Sequence, residues 1–540
     1  MSPTVLMVAG IYFALTLSLG LWVARREKKT AHDYFLAGRS LPWYAVSLSM
    51  TGSNIGTEHF IGMVGTAYLF GLAPATFEWG NFIPYTILAF IFLPYFYRKK
   101  LFTIPQFLEQ RYNATTRTVF AAMSLLHMVL AYLAPALYAG GRILYEMGMR
   151  QTIDSFNWGF MGCVLIIAGV TAAYCIYGGL ISVVWTDVLQ VVILLAGGTA
   201  LVLTGIDRVG SLERVIDINL TADASRFSLI LPADHTVSPW TGVATFWFTL
   251  SLWYVGTNQF YIQRCLGAKS EWDAKMGVIG CAGLKLFLPF IIVFPGLVAF
   301  SLFGPGLPAD AVYTHMVNDL LPPLGRGVLL AVLIAAIMST VSSVLNSSST
   351  IWSMDIYRRY LRRDATDEQT VRVGRWSAFT VIIIGTALAP LLLMWKGGIF
   401  IYIQDMAAFF APSIAVIFLA AFLWPRAHSR AATITLIFGI VSGIILKIFA
   451  ESWGADGIEI LKPLLNRAAV NWALCLMTLV ATTYLVPPVK GKTFDRDAIW
   501  NSRWARLPES DRFLNRGGRN LIFWWIVMMA ASGSLFVIFR

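Results

Sequence analysis

Long uncharged apolar stretches recur along the chain from its first residues to its last, separated by short polar segments. A helix rising 1.5 Å per residue needs about 20 such residues to cross roughly 30 Å of hydrocarbon. Segments of that kind lie near 4–24, 41–70, 77–97, 118–147, 157–177, 181–204, 240–263, 276–303, 327–356, 376–395, 399–424, 431–450, 469–487 and 520–539. The pattern predicts an all-α polytopic membrane protein with about fourteen transmembrane helices, an even number that puts both termini on one side. The first stretch is too long for the apolar core of a signal peptide. It also lacks a basic lead-in and a small-residue cleavage site, so it is expected to stay as a span.

Two spans break the apolar pattern. Segment 41–70 carries Ser47, Ser49, Thr51, Gly52, Ser53, Asn54, Gly56, Thr57, Glu58 and His59 at membrane depth. Polar groups there are costly and usually face a cavity or a partner. Glycines inside such a cluster predict a helix broken at Ser53-Asn54-Ile55-Gly56, a device tolerated in a bilayer where the freed backbone lines a cavity or binds an ion. Close helix packing through small residues is the alternative. It accounts for the serines and glycines but not for Asn54, Glu58 and His59 together. Segment 327–356 contains Ser339, Ser343 and Ser347 at i, i+4 spacing, with Thr340 and Ser342 beside them. Such hydroxyls suit a hard cation without a large charge penalty. A hydroxyl-rich packing helix explains the segment equally well.

Composition sharpens this picture. Apolar residues make up 57% of the 540, charged residues 13%, and the net charge is +12. Nucleic-acid binding is one reading of that charge, but its distribution points elsewhere. Most Lys and Arg fall in alternate loops: Arg98, Lys99, Lys100, Arg111 and Arg117 after the third span, Arg264, Lys269 and Lys275 after the seventh, and Arg358, Arg359, Arg362, Arg363, Arg372 and Arg375 after the ninth. By the positive-inside rule those loops are cytoplasmic and both termini lie outside the cell membrane. No nucleic-acid partner is expected; the lipid bilayer is. The five cysteines are scattered, without metal-ligand or disulfide spacing, and no nucleophile–base motif or phosphate loop suggests an enzyme.

Isolated polar residues remain inside other spans. Glu78, Lys285 and Gln404 each sit in apolar surroundings. Each charged one can snorkel separately to an interface, or the two can neutralise each other across a cavity. A neutral ring of hydroxyls would find complementary partners among a carboxylate, an ammonium, amides and an imidazole, with Phe77, Trp79, Tyr254 and Phe400 available for its apolar faces. Asp187 is a further buried-looking carboxylate, either a cation ligand or a tie between helices.

These residues, in this order, resemble the sodium:solute symporter family, specifically its sodium/glucose and sodium/galactose cotransporter branch. The matching stretches are Asp33 to Ser40, Ser53 to Gly56 with His59 to Gly62, Phe77-Glu78-Trp79, Tyr177 to Leu180, Gln263 to Leu266, Leu284 to Leu286, Met354 to Tyr357 and Tyr402 to Gln404. The resemblance is dense over roughly 30–425. It implies a five-plus-five inverted repeat, here 41–204 and 240–425. Around it lie an extra helix and basic cytoplasmic loop (1–40), an extracytoplasmic loop (205–239), and further helices with a basic cytoplasmic linker (426–540).

By position, the resemblance implies sodium at the carbonyls of Gly52, Ile55 and Ala336 and the hydroxyls of Ser339 and Thr340. It implies a monosaccharide at Asn54, His59, Glu78, Asn81, Ser251, Tyr254, Lys285 and Gln404. Met63, Phe77 and Phe400 match an outer gate and Tyr254 an inner one. Ser342, Ser343 and Asp187 match a second sodium site found in some members, which leaves one or two ions per cycle open. Two positions depart: Ser251 stands where a bacterial galactose-carrying member has Asn, and Val255 where related proteins often have Trp. The function implied is sodium-coupled import of a glucose- or galactose-like sugar by alternating access. The alternatives are a symporter for inositol, sialic acid or an amino acid, or a transport-inactive sugar sensor or sodium channel on the same scaffold. No feature of the chain sets its oligomeric state.

Overall fold

The computed structural model describes residues 3–25, 30–56, 58–149, 157–235, 237–395, 399–452, 459–489 and 495–540, and among these it is helical with no strand. Eleven stretches of the described residues have the length and hydropathy to cross a membrane. This is fewer than the fourteen spans expected, for two reasons. The expected spans 157–177 and 181–204 are two helices that meet without a loop at the non-helical Gly179 (φ 56°, ψ −149°), and so count as the single stretch Trp158–Val209. Spans 41–70 and 240–263 are interrupted, so neither contains a continuous helix of qualifying length.

The hub is the stretch Pro323–Leu361, whose most apolar part is 94% buried, against 28% for Pro3–Ala24 and 17% for Leu521–Ile538. Its serines and threonines therefore face protein, where those from Ser339 to Thr350 find hydrogen-bond partners, and not lipid, where none exists. The outer helices show the reverse. Leu6, Ile11 and Trp22 on the first, and Ile522, Phe523 and Val537 on the last, are exposed large apolar side chains that form the lipid-facing surface.

The first interruption follows from a local competition for hydrogen bonds. Trp43–Asn54 is helical, and Ile55 leaves the helix with extended backbone (φ −93°, ψ 104°). In a continuing helix the Gly56 amide would close on the Gly52 carbonyl. It donates instead to His59 Nδ1 at 3.2 Å. The chain resumes as a π-helical turn, Glu58–Met63, and then the helix Val64–Phe70.

The second interruption separates Trp240–Phe246, Leu250–Thr257 and Gln259–Leu266, with Asn258 extended (φ −73°, ψ 125°). The Leu41 amide donates to the Gly267 carbonyl at 3.1 Å and the Lys269 amide to the Leu41 carbonyl at 3.0 Å. The start of one broken segment is thus tied to the end of the other.

Gly179 is fixed by its surroundings as well as its φ: a β-carbon there would lie 2.4 Å from the Tyr34 carbonyl oxygen. Gly179→Ala is expected to destabilise the fold by about 1–3 kcal/mol, read as a lower melting temperature of the detergent-purified protein. An unchanged melting temperature would contradict this account of the bend.

Candidate functional site

The two interruptions and the helix carrying Gln404 enclose a cavity of about 110 Å³. That is roughly ten times the space one water needs, so it is a binding cavity and not a packing flaw. Its polar lining is Asn54, His59, Glu78, Asn81, Ser251, Tyr254, Lys285 and Gln404. The structure therefore brings every sugar-site candidate around one space, with Met63 and Phe77 in the same wall. The Phe400 side chain, like that of Glu58, lies outside the described residues.

Charge in the cavity is balanced internally. Lys285 Nζ donates to Glu78 Oε2 at 2.5 Å, and both side chains are almost fully buried. The other carboxylate oxygen, Oε1, lies 3.4 Å from His59 Nε2. Because His59 Nδ1 accepts the Gly56 amide, the imidazole proton sits on Nε2 and points at Glu78. Taking these two charges out of water is tolerable only because they are paired and hydrogen-bonded.

Asn81 is held more tightly than its role in the resemblance implies. Its Nδ2 donates to the Phe77 carbonyl at 2.5 Å, and its Oδ1 accepts from Ser251 Oγ. The Asn54 Oδ1 is the opposite case: buried, in the cavity wall, with no hydrogen-bond partner among the described residues. An orphaned acceptor of this kind is what a bound hydroxyl would satisfy. Apolar coverage comes from Phe77, packed edge-on against Phe246 at 5.3 Å, and from Tyr254, whose ring lies 5.5 Å from Tyr261.

Beside the cavity, the end of Trp43–Asn54 packs on the serine-rich hub. A β-carbon built on Gly52 would lie 3.4 Å from Ser339 Oγ, so the last turn before the break packs against the hydroxyl-bearing face of the hub. Ser339 Oγ donates to Asp187 Oδ1 at 2.6 Å and Thr340 Oγ1 to the Ala336 carbonyl at 3.2 Å. Both hydroxyls spend their one proton on protein acceptors and keep lone pairs for a cation. Ile55 is the extended residue at this helix end. Oxygens without a local cluster of carboxylates fit a monovalent hard ion; among the described residues no group of three His, Cys, Asp or Glu suggests another metal.

Asp187 has a further partner. Arg264 Nη2 donates to its Oδ2 at 3.2 Å and to Ser343 Oγ at 2.6 Å, and Arg264 Nε to Ser49 Oγ at 3.0 Å. Arg264 and Asp187 are both fully buried. The sequence places Arg264 among the loop cations; it is a bundle residue instead, because it neutralises a carboxylate that lipid depth leaves no other way to satisfy. Ser342 donates to the Ser339 carbonyl at 3.1 Å and is not bonded to Asp187.

The sequence profile of the sodium:solute symporter family matches residues 34–439. The chain belongs to that family. It is 37% identical over 478 residues to the sodium/glucose cotransporter of Vibrio parahaemolyticus, covering 83% of this chain and 86% of that one. It is 32% identical over 479 residues to sodium/myo-inositol cotransporter 2 of Rattus norvegicus, covering 82% and 70%. The fold is similar to that of a sodium-coupled sialic acid symporter solved in a substrate-bound outward-open state, with a TM-score of 0.75 at 20% identity, covering 90% of this chain and 98% of that one. As a member of the family it is a sodium-coupled, multi-pass membrane transporter and not an enzyme.

Some residues of this symporter's site were not legible as such. Tyr132, Trp253 and Ile403 line the cavity but read as ordinary apolar span residues. Asp405, next to Gln404, is buried between Lys447 and Arg467, the latter at 2.7 Å, and ties the Gln404 helix to the two helices that follow it. A lone acidic residue in an apolar run was the available signal for it.

The Glu78–Lys285 pair makes a double-mutant prediction. Glu78→Gln and Lys285→Met alone each strand one buried charge and are expected to cost about 3–5 kcal/mol. The double variant should recover most of that stability in melts of the purified protein. Strictly additive losses would show that the two charges do not compensate one another.

Proposed function

We propose that this symporter imports a neutral hexose, glucose- or galactose-like, together with one sodium ion. The observation that carries the substrate reading is the closed Glu78–Lys285 pair, which leaves a cavity polar but with its two charges cancelled. A sugar offers hydroxyls that both donate and accept, matching the Asn54 acceptor, the Glu78 carboxylate, the His59 imidazole and the Gln404 amide. A carboxylate-bearing substrate such as sialic acid would need an uncommitted cation, and Lys285 is already committed. Similarity to a sodium/glucose cotransporter over most of both chains supports the hexose. Similarity to myo-inositol cotransporters supports the broader class of neutral six-membered polyols.

Sodium is assigned to Gly52, Ile55, Ala336, Ser339 and Thr340. The single ion is supported by Arg264, whose guanidinium already serves Asp187 and Ser343, the partners a second sodium would require. Met63 and Phe77 are assigned to the outer gate, with Phe400 added from the resemblance alone, and Tyr254 to the inner one. The basic loops orient the chain with both termini outside, and segments 41–204 and 240–425, each opening on a broken helix, form the inverted repeat that rocks between the two states. One sodium moving inward across 100 mV yields about 2.3 kcal/mol, and a tenfold gradient adds about 1.4 kcal/mol. Together they sustain roughly 500-fold sugar accumulation.

Uptake of labelled glucose, galactose, myo-inositol and sialic acid into proteoliposomes tests this reading. The expected outcome is hexose uptake that requires an inward sodium gradient, saturates, and moves one net positive charge per sugar. Sodium-dependent uptake of sialic acid without hexose, or uptake indifferent to sodium, would contradict it.

A further inference from the structure

A second cavity of about 380 Å³ lies at the opposite end of the hub, lined by Gln106, Arg117, Met354, Arg358, Arg359 and Arg363. Four guanidiniums around one concavity are an electrostatic cost unless anions offset them, and the protein's own carboxylates do so incompletely. Glu109 bridges Arg117, at 2.6 Å, and Arg359, while Asp355 Oδ1 takes Arg117 at 2.6 Å. Asp367 reaches Arg358 only at 4.0 Å. Arg363 has no carboxylate partner among the described residues, its Nε resting on the Arg359 carbonyl at 3.3 Å. The Arg359 Nε is buried with no hydrogen-bond partner among the described residues. Gln106 has given its Oε1 to the Phe102 amide at 2.9 Å, which leaves its NH2 as the group free to face the cavity.

Local geometry opens this space. Trp352–Leu361 is π-helical, wider than an α-helix, and ends with the Arg362 amide donating to the Tyr357 carbonyl five residues back at 2.9 Å. π-Helical turns are frequent at functional sites. The same segment exposes Trp352, Tyr360 and Leu361, the amphipathic signature of a membrane–water interface.

We propose that this cavity binds the phosphodiester headgroup of an anionic membrane lipid. Planar guanidiniums match phosphate oxygens two at a time, which lysines do not, and basic pockets between helices at the cytoplasmic surface are suited to such headgroups. The interfacial aromatics and Met354 favour a lipid over a free phosphate ion, because they offer apolar contact to the glycerol and upper acyl chains. The site lies on the same continuous helix as Ser339 and Thr340, so a lipid held there steadies the cytoplasmic end of the sodium-site helix.

Native mass spectrometry of the purified full chain, titrated with phosphatidylglycerol, phosphatidylcholine or inorganic phosphate, tests the proposal. The wild type is expected to retain phosphatidylglycerol over phosphatidylcholine. The Arg358→Gln/Arg363→Gln variant should weaken that retention by roughly tenfold or more, each basic side chain contributing several-fold. Both arginines are solvent-accessible, and the single Arg363→Gln variant, which breaks no ion pair, serves as the second test with a several-fold weakening. Equal retention of the two lipids by the wild type, or retention unchanged in either variant, would overturn the proposal. Displacement of phosphatidylglycerol by millimolar inorganic phosphate would overturn the lipid assignment in favour of a soluble anion.

Discussion

The hydrogen bond from the Gly56 amide to His59 Nδ1 is the interaction on which the rest of the site depends. It does two things at once. It withholds from the Gly52 carbonyl its usual helical donor, in the turn that packs on Ser339. It also fixes the His59 proton on Nε2, aimed at the Glu78 carboxylate. One local choice by the backbone thereby shapes both the cation site and the polar wall of the cavity. An unbroken helix would offer neither, since its carbonyls are spent on its own amides.

Around that bond the bundle is arranged to keep buried charge balanced. Glu78 is answered by Lys285 and His59, and Asp187 by Arg264, Ser339 and Ser49. In a medium without water to solvate ions, these pairings are the condition for having titratable groups at membrane depth at all. They also set the chemistry. On the proposed function, a cavity whose charges cancel suits a neutral polyol, and a cation site of carbonyls and hydroxyls suits a hard monovalent ion. The Asp187 network touches Ser339, which on the proposed function joins the occupancy of the cation site to the state of this ion pair.

Much of this was legible in the sequence, because polarity in a membrane span is conspicuous. The cluster Ser53 to His59, the serines from Ser339 to Ser343, and Glu78, Lys285 and Gln404 stand out against apolar surroundings, and the structure gathers the latter three with Asn54 and His59 at one cavity. The break between spans 157–177 and 181–204 was legible, since the structure turns at Gly179 between them, but the absence of a polar loop there was not, and the two helices form one stretch, Trp158–Val209. Arg264 was misplaced because its position at a span end looks like a loop; only the fold brings it to Asp187, 77 residues away in the chain. The Tyr132 and Trp253 walls were hidden for the converse reason, aromatics in apolar spans being ordinary.

If the Gly56–His59 bond joins the two sites, then sodium and sugar must each raise the other's affinity by the same factor, as linkage requires. The direct test is that coupling factor, the ratio of glucose dissociation constants without and with sodium, measured by calorimetry on the purified symporter and on His59→Ala. The account predicts a factor of roughly 5–150 in the wild type, falling close to one in His59→Ala. Loss of a sugar contact alone would weaken both dissociation constants equally and leave the ratio unchanged. A ratio of one in the wild type, or an undiminished ratio in the variant, would contradict it.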